Sequence, residues 1–392
     1  MVHHVRAMSG WVLAGLALYA IGVELPRSLP GDGLLDFGSF VASGRAAAEG
    51  LNPYGIYPLT FHVSFPGFEA WNPNLNPPIS AILFQAFDWT EPQRAFRIWW
   101  GVSVALYGLA VLLLVRRYGE GMGSSLVIAL WLLALAGFWD TLVLGQIYIP
   151  LVVAGVAAWL LLERGHGVLA GMMIGLVVAM KPNFAVWPAL LFLAGHWRPA
   201  VASGVTGAVI GAIPLAVYGP EVYRQWLTLV ASDGDRAAFL TNASLAGIVA
   251  RLGAPGLALP LSAAVLAVAA LWALRRRPDA IRASEFGILG ALLASPLAWI
   301  HYTLFLAPVL LRRFDRLSTR IVAGVLMVPV PFIIHYFGAP ASIQAGIGSL
   351  YNWALVLCLA ILVAEEIRGA RGRTASPLTG AEPASPGAIS RG

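Results

Sequence analysis

The chain has 392 residues, 59% of them hydrophobic and only 11% charged, where a soluble protein carries about 25% charged residues; this argues against a soluble enzyme. The single cysteine, Cys358, excludes an intrachain disulfide and a multi-cysteine metal site. The net charge of +6 does not point to nucleic acid, because the basic residues cluster at the ends of apolar runs, around Arg116, Arg198, Arg275, Arg312 and Arg368, as in the cytoplasmic loops of polytopic membrane proteins.

In chain order, "MVHHVRAMSGWVLAGLALYAIGVELP" has a weakly basic start and an apolar stretch without a small-residue cleavage site; it reads as an uncleaved first span with its N-terminus in the cytoplasm. Apolar runs follow at 9–26, 76–90, 95–115, 122–141, 146–163, 166–181, 183–196, 199–218, 256–274, 284–300, 302–311, 319–338 and 347–364. About 20 residues are needed to cross the hydrocarbon layer, and several runs are shorter. The Pro-bounded ones, 76–90 above all and the broken 166–196 and 284–311, are expected to be re-entrant or half-crossing. The expectation is an all-α polytopic bundle of about 11–13 spans with both termini cytoplasmic. Residues 1–368 form one transmembrane domain, and 369–392 a disordered Pro/Ser/Ala/Gly-rich tail. No internal repeat is evident, which weakens a transporter built on inverted repeats.

Two polar segments, 27–75 and 219–255, fall on the exoplasmic face by this reading. In the first, Phe37, Phe40, Val41 and Ala48 alternate with Asp36, Arg45 and Glu49. This predicts a short amphipathic helix at the interface, from near Asp36 to Gly50. An acid at a helix start is explained by capping or the helix dipole, so the residues alone leave Asp36 open between a cap and a chemical role.

Further polar clusters interrupt the apolar background: "NPYGIYP" and "NPNLNPP" within 52–78, "WDTLVLGQIYIP" at 139–150, "AMKPNFAVWP" at 179–188, "TNASLAG" at 241–247 and "ASPLAWIHY" at 294–302. Ionisable groups at a membrane boundary are expensive and usually functional. Lys181 and His301 stand out, although a snorkelling lysine and a hydrogen-bonded core histidine remain open for them. Aromatic residues such as Trp299 are most often interface anchors.

In this order and spacing the clusters resemble glycosyltransferase family 87, polyprenyl-phosphate-sugar-dependent enzymes of the GT-C superfamily. The resemblance runs from about Gly10 to Ala364, through the early acid followed by "LNPY", "LNPPISAILF", "GQIYIPLVVAG", "LAGMMIGLVVAMKPNFAVWPALLFL", "TNASLAG" and "ASPLAWIHYTLFLAPVL". The chain departs from the family pattern at Ile147-Tyr148, where an Asn is frequent, at Tyr302, where a second His is frequent, and at Ala243, where a Gln is common.

The resemblance implies a GT-C-type bundle in the plasma membrane with its active site on the exoplasmic face. It implies transfer of a sugar, mannose first, from a polyprenyl-phosphate donor to a glycolipid or polysaccharide acceptor, with inversion. Asp36 is the implied general base. The leaving polyprenyl phosphate is a stable anion, so it needs positive charge and hydrogen-bond donors rather than an acid. His301, Lys181 and either Arg45 or Arg236 are the implied donors of that charge, with Asn52, Tyr54, Asn76, Gln146, Asn242 and Trp299 as further substrate contacts. No metal and no cofactor are expected: no DxD nucleotide-sugar motif is present, "DGD" at 233–235 being its nearest imitation. The alternatives are an arabinofuranosyl (pentose) transferase of the same class, a lipid-linked-sugar transporter or flippase that leaves the sugar–phosphate bond intact, and an inactive envelope-assembly protein.

Overall fold

The computed structural model describes residues 2–65, 68–232 and 234–374. The chain begins with α1 (Val2–Ser28), followed by α2 (Leu35–Ala48), an antiparallel hairpin of β1 (Phe61–Phe65) and β2 (Phe68–Asn72), and α3 (Ile79–Gln85). Then come α4 (Pro92–Tyr118), α5 (Met122–Ala134), α6 (Ala136–Leu144), α7 (Tyr148–Glu163), α8 (Gly167–Met180), α9 (Val186–Leu193) and α10 (Trp197–Tyr218). The second half holds α11 (Glu221–Ser232), α12 (Leu245–Arg251), α13 (Ala258–Arg276), α14 (Ala280–Leu293), α15 (Ala307–Leu311), α16 (Leu317–Val325), α17 (Val330–Ile334), α18 (Ala341–Ala345) and α19 (Leu350–Thr374). Helix accounts for 75% of the residues and strand for 3%, so the all-α expectation holds.

Among the described residues, four stretches are long and apolar enough to cross a bilayer: 92–118, 197–218, 255–276 and 341–368. A fifth candidate is the pair α5–α6, bent by 41°. Helix α7 and the stretches 167–180, 182–193 and 300–311 are apolar but shorter. The run 76–90 folds as the seven-residue α3, about 10 Å long, which cannot cross. The run expected at 319–338 is divided between α16 and α17. Helix α19 extends to Thr374, into the segment expected to be a disordered tail; the remainder of that tail, 375–392, lies outside the described residues.

Small residues set the closest helix contacts. A Cβ on Gly171 would lie 2.2 Å from the Pro199 carbonyl oxygen, and one on Gly175 2.6 Å from Thr206 Cβ, so α8 and α10 touch backbone to backbone, as membrane helices do at small-residue interfaces. Gly287 does the same for α14 against Trp187 of α9. At the end of α13 and α14 remote from the hairpin, the fully buried Glu285 accepts from Arg282 (2.6 Å), Arg312 (3.0 Å) and Arg313 (2.7 Å). Glu365 accepts from Arg313 (2.8 Å) and pairs with Arg316, and Glu366 accepts from Arg282 (2.7 Å).

The loop helix α2 departs from expectation. The sequence pattern is that of an amphipathic helix at the interface, but the helix is buried on nearly all sides, from Asp36 to Gly44 without a break. Phe37 packs against Phe84, Phe87 and Phe96. Gly44 lets α3 approach so closely that a Cβ there would lie 2.9 Å from the Gln85 nitrogen. The β-hairpin went unforeseen, although "FHVSF" and "FEAWN" alternate in exposure with the two-residue period of a strand.

Candidate active site

Asp36 lies in the first turn of α2 and caps nothing: the helix has no side-chain cap. Its carboxylate accepts one hydrogen bond from Asn72 Nδ2 and another from Gln146 Nε2. Leu35, immediately before it, has φ +46°, a left-handed conformation that strains a bulky residue. Burial pushes the Asp36 carboxyl up to about 6, opposed by the Gln146 and Asn72 hydrogen bonds and by the positive charges of Arg236 and Lys181. The group is therefore ionised at neutral pH yet basic enough to take a proton.

The Gly-Gln step explains itself at this contact. Gly145 has φ +68°, and a Cβ on it would lie 2.6 Å from Phe37 Cβ. Only glycine fits, and the turn it makes ends α6 and delivers Gln146 to Asp36. Trp99 Nε1 donates to the carbonyl oxygens of Gly145 (3.1 Å) and Gln146 (3.3 Å), fixing that turn from behind.

"NPNLNPP" is read at every second residue. Asn72 donates to Asp36 and accepts from Arg236 Nη1. Asn74 donates to Ser43 Oγ of α2 (3.0 Å) and Ser80 Oγ of α3 (2.8 Å). Asn76 accepts from Lys181 Nζ at 2.6 Å and donates to Asn74 Oδ1 at 2.8 Å. Lys181 follows the last residue of α8, and Pro182 after it cannot continue the helix, so the ammonium turns inward. It lies 4.3 Å from the Tyr148 ring centre and 5.4 Å from that of Tyr302, held by cation–π attraction.

Asp36, Asn72, Asn76, Gln146, Lys181 and Arg236 line one cavity together with Asp140, Tyr148, Trp299 and His301, and its other wall is apolar: Phe40, Phe61, Val63, Phe65, Phe68, Phe239 and Ile334. The free space is about 170 Å³, the volume of roughly six waters and enough for a sugar ring. The cavity thus joins one acid held by two amides, two cations, a histidine and a greasy wall.

Of the residues expected from the sequence, Asp36, Asn76, Gln146, Lys181, Arg236, Trp299 and His301 line this cavity. Arg45 does not: it is partly exposed and faces Asp88 at 3.3 Å. Arg236, contributed by the segment after α11, takes that place and donates to Asn72 and to the Trp71 carbonyl. Asn52 is a turn residue, accepting from the Tyr54 backbone N–H at 2.9 Å. Tyr54 stands behind the wall, donating to the Asn76 carbonyl at 3.1 Å. Asn242 is fully buried and staples two segments together, donating to the carbonyls of Ala237 and Pro296 and accepting from the Ala298 N–H at 2.9 Å. Sequence reasoning passed over Asn72, Tyr148 and Asp140; the asparagines at two-residue spacing were the available sign of Asn72.

A helical membrane bundle with a buried acid, cations and a sugar-sized cavity describes a membrane-embedded sugar transferase. The chain belongs to glycosyltransferase family 87, whose family model matches residues 74–299, more than half of its length. It is similar to a polyprenol-phosphate-mannose-dependent alpha-(1-2)-phosphatidylinositol mannoside mannosyltransferase of Mycobacterium tuberculosis (strain ATCC 25618 / H37Rv), 28% identical over 81% of this chain and 80% of the relative. A polyprenol-phosphate-mannose-dependent alpha-(1-2)-phosphatidylinositol pentamannoside mannosyltransferase of M. tuberculosis (strain CDC 1551 / Oshkosh) is 27% identical over 82% of this chain and 78% of its own. A Mycolicibacterium smegmatis (strain ATCC 700084 / mc(2)155) relative of the same name as the first is 24% identical over 90% of this chain and 86% of its own. No solved structure matches the chain.

Proposed function

We propose that the protein transfers a mannosyl residue from a polyprenyl phosphate to a hydroxyl of a cell-envelope glycolipid, with inversion and with Asp36 as general base, on the exoplasmic face of the plasma membrane. In that step the acceptor oxygen attacks the anomeric carbon and gives its proton to Asp36. The bond from that carbon to the phosphate oxygen breaks, and its electron pair stays on the polyprenyl phosphate. Lys181, Arg236 and His301 surround the growing negative charge on the phosphate, as preorganised donors do at a developing anion. Gln146 and Asn72 orient the base, and Asn76 orients Lys181.

The observation that carries this reading is Asp36: both its oxygens accept hydrogen bonds from neutral amides, Asn72 and Gln146. The names of the relatives support mannose and a phosphatidylinositol mannoside-type acceptor. The test is purified protein supplied with radiolabelled polyprenyl-phosphate mannose and envelope glycolipids. One mannose should be added per acceptor, with inverted anomeric configuration. An inert mannose donor alongside transfer from a polyprenyl-phosphate pentose would replace mannose by arabinofuranose.

A further inference from the structure

Asp140 stands in the cavity without a part in the scheme above. It comes from α6, and its placement follows from Gly137 one helical turn earlier. A Cβ on Gly137 would lie 2.6 Å from the Ile300 carbonyl oxygen and 3.2 Å from His301 Cα. Glycine there lets α6 press directly on the 3-10 turn Ile300–Leu306. Residues three apart share a helix face, so Asp140 meets the histidine that this turn carries. Asp140 Oδ2 is 3.3 Å from His301 Nδ1, and the imidazole leans on the Tyr148 ring with centroids 4.8 Å apart. Nδ1 is fully buried and makes no aligned hydrogen bond. An orphaned buried ring nitrogen is costly, and catalytic hydrogen bonds are often long in an empty site and tighten once substrate is bound.

We propose that Asp140 is the positioning residue of His301: its carboxylate accepts Nδ1–H and thereby presents Nε2–H to the donor phosphate. This rests on the transferase reading above. A neutral imidazole with its proton on Nδ1 would offer the phosphate a lone pair, so the arrangement requires a doubly protonated ring between two anions, the Asp140 carboxylate and the phosphate. The only proton that moves in the transfer step goes from the acceptor to Asp36; His301 takes its second proton from solvent as the donor enters and holds the leaving oxygens by hydrogen bond. The charges facing the pair are Asp36, Glu24 and Arg27 around Asp140 and Lys181 beside His301. Lys181 approaches the imidazolium from one side, and Asp140 is the anion in direct reach that offsets it.

The experiment is a double-mutant cycle on the full-length protein, reading kcat and KM for polyprenyl-phosphate mannose. Asp140→Asn is expected to lower kcat by about 10–100-fold with donor KM changed less than about threefold, and Asp140→Glu to restore most of the loss. In the His301→Ala background, Asp140→Asn should change kcat by less than about twofold, because a residue acting through another has nothing left to act on. Equal losses in both backgrounds would overturn the proposal and make Asp140 a structural acid. As a readout independent of turnover, 15N-histidine-labelled protein with farnesyl phosphate should show His301 protonated on both nitrogens, and Asp140→Asn should lose that signature. A neutral His301 in the phosphate-bound wild type would also overturn it. Failure of the transferase reading is distinguishable: the wild type would then transfer no mannose from any polyprenyl phosphate.

Discussion

At the scale of the residue, Asp36 makes opposing demands that one substitution separates. Its carboxyl titrates at about 6 in the folded protein, against an ordinary 3.8. A raised carboxyl pKa means that the native state favours the protonated form. The stabilisation is present below about pH 4 and is lost as pH rises through 6, a cost on the order of 3 kcal/mol by linkage. Asp36→Asn removes the buried charge and keeps an acceptor for Asn72, while Gln146 can rotate its amide to pair with the new one. The variant is therefore expected to melt no lower than wild type at pH 7.5 while losing about 10²–10⁴-fold in kcat; a matching fall in both would mean that Asp36 is structural. For the wild type, kcat/KM should rise with pH to a plateau around an apparent pKa near 6, and a limb absent between pH 5 and 7 would remove Asp36 as the base. The arginines divide in the same assay. Arg236→Ala should weaken donor use by at least tenfold, whereas Arg45→Ala breaks an exposed pair worth about 0–1 kcal/mol and should leave transfer within about twofold.

At the scale of the element, the site depends on how α2 is gripped. Gly145 and Gly44 allow α6 and α3 to touch α2 directly, and the hairpin closes over its far side through the Phe61 N–H, which donates to Ser39 Oγ at 2.9 Å. Gly145→Ala would force a left-handed alanine against Phe37 and push the Gln146 turn off the acid. Since a displacement of about 1 Å can cost about 10²-fold, kcat should fall by that order while the protein still inserts; unchanged turnover would mean that the Gly145 turn has slack. The composition and the polar clusters made the class legible, and seven of the eleven residues singled out in the sequence line the cavity, because buried ionisable groups are conspicuous in an apolar chain. What stayed hidden was which face each loop residue turns. Asn52, Tyr54 and Asn76 look alike in "LNPYGIYP…NPNLNPP", yet only Asn76 reaches the cavity, since the hairpin between them sets the register. Asn242 read as a contact because it is polar in a polar loop; its four bonds are all to backbone, a role that depends on where segment 296–299 folds back. Asp36 looked like a cap because helix starts favour acids, and only the strained Leu35 and the incoming Gln146 show otherwise.

At the scale of the whole molecule, the decisive quantity is the length of one helical stretch. Residues 255–276 form a continuous apolar stretch of 22 residues, about 33 Å long, which matches the hydrocarbon thickness. Its N-terminal end follows α12 and, before it, the segment that supplies Arg236, and its C-terminal end carries Arg275, Arg276 and Arg277. A crossing by this stretch puts the cavity loops and those three arginines on opposite faces of the bilayer. Counting basic clusters overstates the charge bias on the arginine side, because Arg282, Arg312, Arg313 and Arg316 are matched there by Glu285, Glu365 and Glu366. Orientation follows Lys and Arg rather than net charge, however, since acids contribute little to it. The arginine face should then be cytoplasmic and the cavity exoplasmic, where a lipid-carried sugar can arrive and cytosolic nucleotide sugars cannot. In a Cys358→Ala background, which removes the buried thiol, single cysteines at the exposed Ser64 and Ser232 should react with a membrane-impermeant maleimide on intact cells, after permeabilising any outer barrier. A cysteine at Arg275 should react only after lysis. Reaction at 275 alone on intact cells would place Asp36 in the cytoplasm and make a nucleotide sugar the donor within reach of the cavity.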